Sequence, residues 1–266
     1  MTETILEKIV RKKRVRIDSL KAATGLEKIK EAAEYARRDA VAHRFSSAIS
    51  ASDSVNIIAE FKRASPSKGV INDGADVTEK VRQYEQGGAA ALSVLTEEDF
   101  FLGSLDDLHS ARSAVRIPIL RKDFVIDAFQ IYESAANGTD AILLIVAALT
   151  PDELRSFQAL AHSLGMDAVV EVHDADEMKV AAEIGAKIIG VNNRNLKTFE
   201  VSLDISRKLA ALAPQNVVMI AESGITNAAE INELRELGYS AFLVGETLMR
   251  GNALKYLMES SNNGDQ

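Results

Sequence analysis

From about Val55 onward, short runs of Val, Ile, Leu and Ala alternate with longer stretches in which apolar residues recur at helical spacing. Continuous apolar runs suit parallel strands buried on both faces, and the stretches between them suit the helices that cross over from strand to strand. The pattern predicts eight strands, at 55–61, 90–96, 117–122, 141–145, 168–172, 188–192, 217–223 and 241–245. Their starts recur every ~27 residues, the repeat expected of a (β/α)8 barrel, the TIM-barrel architecture. An open doubly wound sheet is the competing arrangement.

The intervening helices carry their own punctuation. Thr150 before Pro151-Asp152-Glu153 reads as an N-cap, a proline at the first helical position and acids in the first turn. Asn227, with Glu230 three residues on, is a second N-cap, and Gly185 and Gly238 stand where helices should stop. None of these needs a chemical role.

The first 50 residues lie outside the repeat. Ile5, Leu6, Ile9, Ile17 and Leu20 are spaced for an amphipathic helix, interrupted by the basic run Arg11-Lys12-Lys13-Arg14. That run reads as a solvated helix face, with gating of ligand access as the alternative. Ser46 to Ser54, rich in Ser and Ala, reads as a linker into the barrel. The expected organisation is one domain over 1–266: a helical extension at 1–50, a barrel at 51–259 and a frayed tail at 260–266. The extension, lying outside the repeat, is expected to matter to substrate affinity more than to barrel folding.

Composition narrows the function. A chain of 266 residues can bury roughly three quarters of its extended surface, enough for one large core. The net charge of −8 argues against nucleic acid as a partner, while leaving room for a local cationic pocket. The absence of Cys excludes disulfides, thiolate metal sites and a cysteine nucleophile together. The longest apolar run, Ala141 to Leu149, falls far short of the ~20 residues that cross a bilayer, so no membrane association and a cytoplasmic location are expected.

In a barrel the active site lies at the carboxyl ends of the strands, and six of the eight predicted strands end there in charged or strongly polar groups. They supply Glu60 and Lys62, Arg121 and Lys122, Glu171 and His173, Asn192 and Arg194, Glu222 and Ser223, and Gly245-Glu246. Strand alternation sets Glu60 and Lys62 on one face, and Asn192 and Arg194 on one face. A structural ion-pair network capping the barrel is the bland reading of the same set. Ser223-Gly224 and Gly245-Glu246, after strands seven and eight, are placed where backbone N–H groups can receive a phosphate. Ser65-Pro66-Ser67-Lys68-Gly69 lacks the spacing of a nucleotide-binding loop and reads as a mobile loop closing over substrate. His43, His109, His162 and His173 show no ligand spacing, and no metal is expected.

Six segments carry a family resemblance: Ile58 to Gly69, Gly88 to Ser104, Pro118 to Tyr132, Asp140 to Leu149, Gly190 to Leu196 and Ala221 to Ile225. Running in order through nearly the whole barrel, they resemble the indole-3-glycerol-phosphate synthases, as does the helix preceding strand one. The resemblance implies conversion of 1-(2-carboxyphenylamino)-1-deoxyribulose 5-phosphate into indole-3-glycerol phosphate, carbon dioxide and water, without cofactor or metal. It carries catalytic roles onto Glu60, Lys62, Lys122 and Glu171. Ser65, Asn192, Arg194 and Glu222 would line the substrate site, and Phe101, Phe124 and Leu143 would pack around the anthranilate ring. Phosphate contacts fall on Ser223, Gly224, Gly245 and Glu246. Some members have Ser where this chain has Glu246, so the contact there should come from the backbone, with the carboxylate turned away.

The chemistry asks for the same residue types. Carbon–carbon bond formation onto a ketone needs a proton donor at the developing alkoxide, and a desolvated Lys122, its pKa brought toward neutrality, would serve. Loss of carbon dioxide and water needs a later proton acceptor, for which Glu171 is suited. Lys62 or Arg194 would hold the substrate carboxylate. The sequence leaves open how Lys62 and Lys122 share the acid work, and leaves the oligomeric state open, a monomer included. Two rivals compete with this reading: phosphoribosylanthranilate isomerase, whose family uses a cysteine base this chain lacks, and a non-catalytic barrel that binds a sugar phosphate.

Overall fold

The computed structural model describes residues 3–51, 54–251 and 254–259. Eight parallel strands close into a barrel: β1 (Asn56–Phe61), β2 (Ala91–Leu95), β3 (Ile119–Lys122), β4 (Ala141–Ile145), β5 (Asp167–Val172), β6 (Ile188–Asn192), β7 (Val218–Glu222) and β8 (Ala241–Val244). Each pairs with its neighbours in sequence, and β8 returns to β1, so no edge is left open. All eight predicted strands are present, within two residues at either end. The open-sheet alternative is excluded by the β1–β8 register, Asn56 opposite Ala241 and Ala59 opposite Val244.

Alternation divides the core in two. Outward side chains such as Ile57, Leu92, Ile142, Val170, Ile189 and Phe242 pack under the helices, and inward ones such as Ile58, Leu120, Leu143, Val169, Ile220 and Leu243 fill the interior. The helix signals act as expected. Thr150 and Asn227 form capping boxes with Glu153 and Glu230, and Gly185 and Gly238 take positive φ just past their helices. The tail at 260–266 lies outside the described residues.

The extension departs from expectation. It comprises α1 (Ile5–Thr24), α2 (Leu26–Arg37) and α3 (Arg44–Ile49), so the stretch read as a linker from Ser46 begins as helix. Phe45 and Ile49, one turn apart on α3, are fully buried among the inward side chains and plug the amino-terminal end of the barrel. Ser and Ala between them obscured a two-residue apolar anchor. Arg37 bonds the carbonyls of Thr139, Leu164 and Gly165, at 2.9–3.1 Å, and Asp167 receives the Ser46 N–H at 2.8 Å. The extension is therefore part of the barrel's floor as well as of its mouth, so it packs against the core that the expectation assigned to the barrel alone.

At the other end α1 lies over the mouth. Its basic run is not a uniformly solvated face: Lys13 is 5% exposed and bridges Glu98 (2.9 Å) and Asp123 (2.8 Å). Lys12 and Arg16 reach Asp99, at 3.5 and 3.3 Å. Two acids after β2, Glu98 and Asp99, and one after β3, Asp123, invisible as partners in a linear reading, convert the basic run into a docking face.

Candidate active site

Glu60, Lys122, Glu171, Asn192 and Glu222 project inward from five strands at the carboxyl end of the barrel and line a cavity of about 910 Å³. Every site residue expected from the sequence lines this one cavity, from Glu60, Lys62 and Ser65 on the first strand and its loop to Gly245 and Glu246 on the last. Ile5, Leu6 and Ile9 of α1, and Leu196, Phe199 and Val201 after β6, line it too. The sequence reading missed these as cavity residues. The three from α1 were visible only as an apolar helix face.

Lys122 is the centre of the arrangement. Its Nζ lies 2.9 Å from Glu171 Oε2 and 3.4 Å from Glu222 Oε2. Desolvation pulls its pKa down, but the charges of Glu171, Glu222 and Glu60 outweigh that and hold it well above the usual lysine range. The expectation of a Lys122 tuned toward neutrality is thus corrected: three carboxylates keep the ammonium charged. Glu171 is held the other way. Burial opposes its charge, yet Lys122 and His173 keep it ionised far below the ordinary carboxylate range. The group poised near neutrality is Glu222, raised to about 7 by burial and by repulsion from Glu171 and Glu60 against the pull of Lys122. Its Oε1 is buried without a hydrogen-bond partner.

A polar chain runs around the rim. Asn192 Nδ2 donates to Glu171 Oε1 (3.2 Å), and Asn192 Oδ1 accepts from Ser223 Oγ (2.9 Å) and the Arg194 N–H (3.0 Å). Arg194 donates to Ser67 Oγ (3.1 Å), tying the loop after β1 to the loop after β6. In that first loop Ala64–Ser65 pairs with Gly69–Val70 as a small antiparallel ribbon. Lys62 sits on Glu60 at 2.5 Å. Across from these, Phe101 and Phe124 face each other at 6.1 Å, held by a buried Glu97 that accepts the N–H groups of Asp99, Phe100 and Phe101.

Two glycines make room for the acids. A Cβ on Gly190 would stand 2.2 Å from Glu222 Oε1, and one on Gly245 would stand 2.4 Å from Glu60 Oε1. A side chain at Gly245 would therefore displace a carboxylate of the cavity before it touched a ligand, so the residue's bareness serves Glu60 as well as any anion. Ser223 adopts φ +67°, a left-handed conformation uncommon for a residue with a Cβ, followed by Gly224 at φ +83°. The Glu246 carboxylate turns toward Lys68, at 3.8 Å.

Of the strand-end groups, Arg121 and His173 do not line the cavity, and Arg121 is turned outward altogether. It points outward from β3, 3% exposed, into Asp123, Glu133, Thr96 and Ser134. Among the described residues no three His, Asp or Glu side chains gather as metal ligands would. No helix among them is long and apolar enough to cross a membrane.

These features define a class: a (β/α)8-barrel enzyme whose acid–base groups meet at the carboxyl ends of its strands. The family model for indole-3-glycerol phosphate synthase matches residues 6–260. The indole-3-glycerol phosphate synthase of Lachnoclostridium phytofermentans is 44% identical over 96% of this chain and 98% of its own. That of Koribacter versatilis is 53% identical over 75% of this chain and 76% of its own. The chain belongs to the indole-3-glycerol phosphate synthase family, carboxy-lyases of tryptophan biosynthesis. Among solved structures, an N-acetylmannosamine-6-phosphate 2-epimerase from Clostridium perfringens shares the fold alone. It has a TM-score of 0.54 and 14% identity, over 73% of this chain and 87% of the other.

Proposed function

We propose that this chain closes the ring of 1-(2-carboxyphenylamino)-1-deoxyribulose 5-phosphate and then expels carbon dioxide and water to give indole-3-glycerol phosphate. The observation that carries the reading is the Lys122 ammonium held between Glu171 and Glu222, at 2.9 and 3.4 Å, inside the cavity. Attack of the ring carbon on the ketone makes an alkoxide, and Lys122 gives it a proton. Carbon dioxide leaves, and its bonding electrons restore the aromatic ring. Glu171, ionised, then takes a proton from the neighbouring carbon while the Lys62 ammonium, released from the lost carboxylate, protonates the hydroxyl so that it departs as water.

Other residues bind and orient. Lys62 and Arg194 offer cations to the substrate carboxylate, with Glu60 steering Lys62. Phe101, Phe124 and Leu143 form the wall for the aromatic ring, and Ser65 and Asn192 hydrogen-bond the chain between ring and phosphate. Backbone N–H groups at Ser223, Gly224, Gly245 and Glu246 receive the phosphate, with the Glu246 carboxylate turned to Lys68. Glu222 keeps Lys122 charged and aimed. The test is direct: purified protein and the carboxyphenylamino-deoxyribulose phosphate should develop indole fluorescence. Saturable substrate binding without fluorescent product would instead make the chain a non-catalytic binding barrel.

A further inference from the structure

An acid and a base that form one ion pair face a difficulty. When the Lys122 Nζ–H bond breaks and the proton moves to the substrate oxygen, Lys122 becomes a neutral amine. Glu171, 2% exposed and 2.9 Å away, then loses its nearest cation. A buried carboxylate without a counter-charge favours its protonated form, and a protonated Glu171 cannot take the second proton. Some other group has to hold its charge between the two transfers.

His173 stands in the right place. It follows β5 two residues after Glu171, and its Nε2 lies 3.3 Å from Glu171 Oε1, the oxygen not used by Lys122. The contact is ionic rather than a well-aligned hydrogen bond, since Nε2 has no hydrogen-bond partner. The other ring nitrogen, Nδ1, lies 3.0 Å from Glu177 Oε2 on α4 (Ala175–Glu183), and that same oxygen accepts the His173 backbone N–H at 2.7 Å. The imidazole is thus fixed between a buried carboxylate inside and a half-buried one outside. It does not itself line the cavity.

We propose that His173 is a positioning residue: an imidazolium behind Glu171 that keeps the base ionised after Lys122 has given up its proton. The inference rests on the reading of Glu171 as the base. The charged groups facing the imidazole are Glu171 from β5 and Glu177 from α4, with Lys122 of β3 and Glu222 of β7 reaching it only through Glu171. Burial disfavours its charge, but the two carboxylates prevail and raise its pKa to about 10, so the ring is cationic across the neutral range. The sequence showed His173 only as a strand-end residue beside Glu171, one of four histidines without ligand spacing. Its use here is charge, not ligation.

The test is a pH profile of kcat for His173→Gln, which keeps a donor and removes the charge. Glu171 then binds its proton more tightly, so the acid limb moves up by about one pH unit and turnover on the descending part of that limb falls about tenfold, while KM stays within about twofold. An unmoved acid limb in a folded His173→Gln overturns the proposal. If that variant does not fold, Glu177→Gln weakens the same cation from outside and should move the limb the same way by less; no movement there overturns it equally. Glu171→Gln separates the two levels. Its loss of turnover with an unmoved His173→Gln limb removes only the imidazolium's role, whereas normal turnover in Glu171→Gln removes the base on which that role depends.

Discussion

Arg121 and Lys122 are adjacent on one strand, each is buried among carboxylates, and they lie in two regions with opposite character. Outside the barrel, Arg121 donates to Thr96, Asp123 and Ser134 and pairs with Glu133. Asp123 in turn accepts from Thr96, Arg121, Lys13 and the Phe124 N–H. Both its oxygens are occupied, and despite burial Lys13 and Arg121 draw its pKa down to about 2. Inside, Lys122 meets Glu171 and Glu222, but one Glu222 oxygen remains unpartnered and its carboxyl sits near neutrality. Residue type and burial do not distinguish a structural cluster from a reactive one. Saturation does: a cluster with every lone pair filled resists change, and one with a vacancy can exchange a proton or accept a ligand.

The contrast can be broken from the outer side first. Arg121→Met leaves Asp123 and Glu133 buried with too few cations, and the loss of one partner from such a network costs about 3–5 kcal/mol of stability. Denaturant melts should show this drop, with turnover per folded molecule much less affected. A melt within about 0.5 kcal/mol of the parent would mean that Lys13 alone satisfies the cluster.

Lys122→Met attacks the inner side. Met keeps the stem's packing, so the fold should survive while kcat falls by about 10² or more, the range for losing a positioned acid. Lys122→Arg should not restore it, because a guanidinium holds its proton near neutral pH. Near-normal turnover in folded Lys122→Met would transfer the acid role to Lys62.

Glu222→Gln sharpens the comparison with the smallest effect. The raised Glu222 carboxyl binds its proton in the native state more tightly than when unfolded, so its contribution to stability falls as pH rises from its ordinary carboxylate value to about 7. Gln removes the titration. The variant's stability should lose that slope between about pH 4.5 and 7, and its activity profile should lose any limb near 7. A slope that persists in the variant would belong to another group.

Much of this was legible in the linear chain, for a reason particular to barrels. Strands buried on both faces must be apolar, so a charge at a strand's carboxyl end stands out, and alternation brings Glu60, Lys122, Glu171, Asn192 and Glu222 to one side. The caps at Thr150 and Asn227 were equally readable, since an N-cap and its partner lie three residues apart.

What tertiary structure alone decided was pairing across long separations. Lys13 looked like one solvated cation in a basic run, and became buried because Asp123 and Glu98 come to meet it. Phe45 and Ile49 stand just before and inside the stretch read as a linker, and became the barrel's floor because they pack among its inward side chains. Lys122 looked like an acid whose pKa burial would bring toward neutrality, and stays charged because three distant strands aim carboxylates at it. Local pattern determines which face a side chain takes and where an element stops, because those depend on neighbours within a few residues. The protonation and burial of a charge depend on the sum of fields and contacts around it, and that sum exists only once the chain has closed.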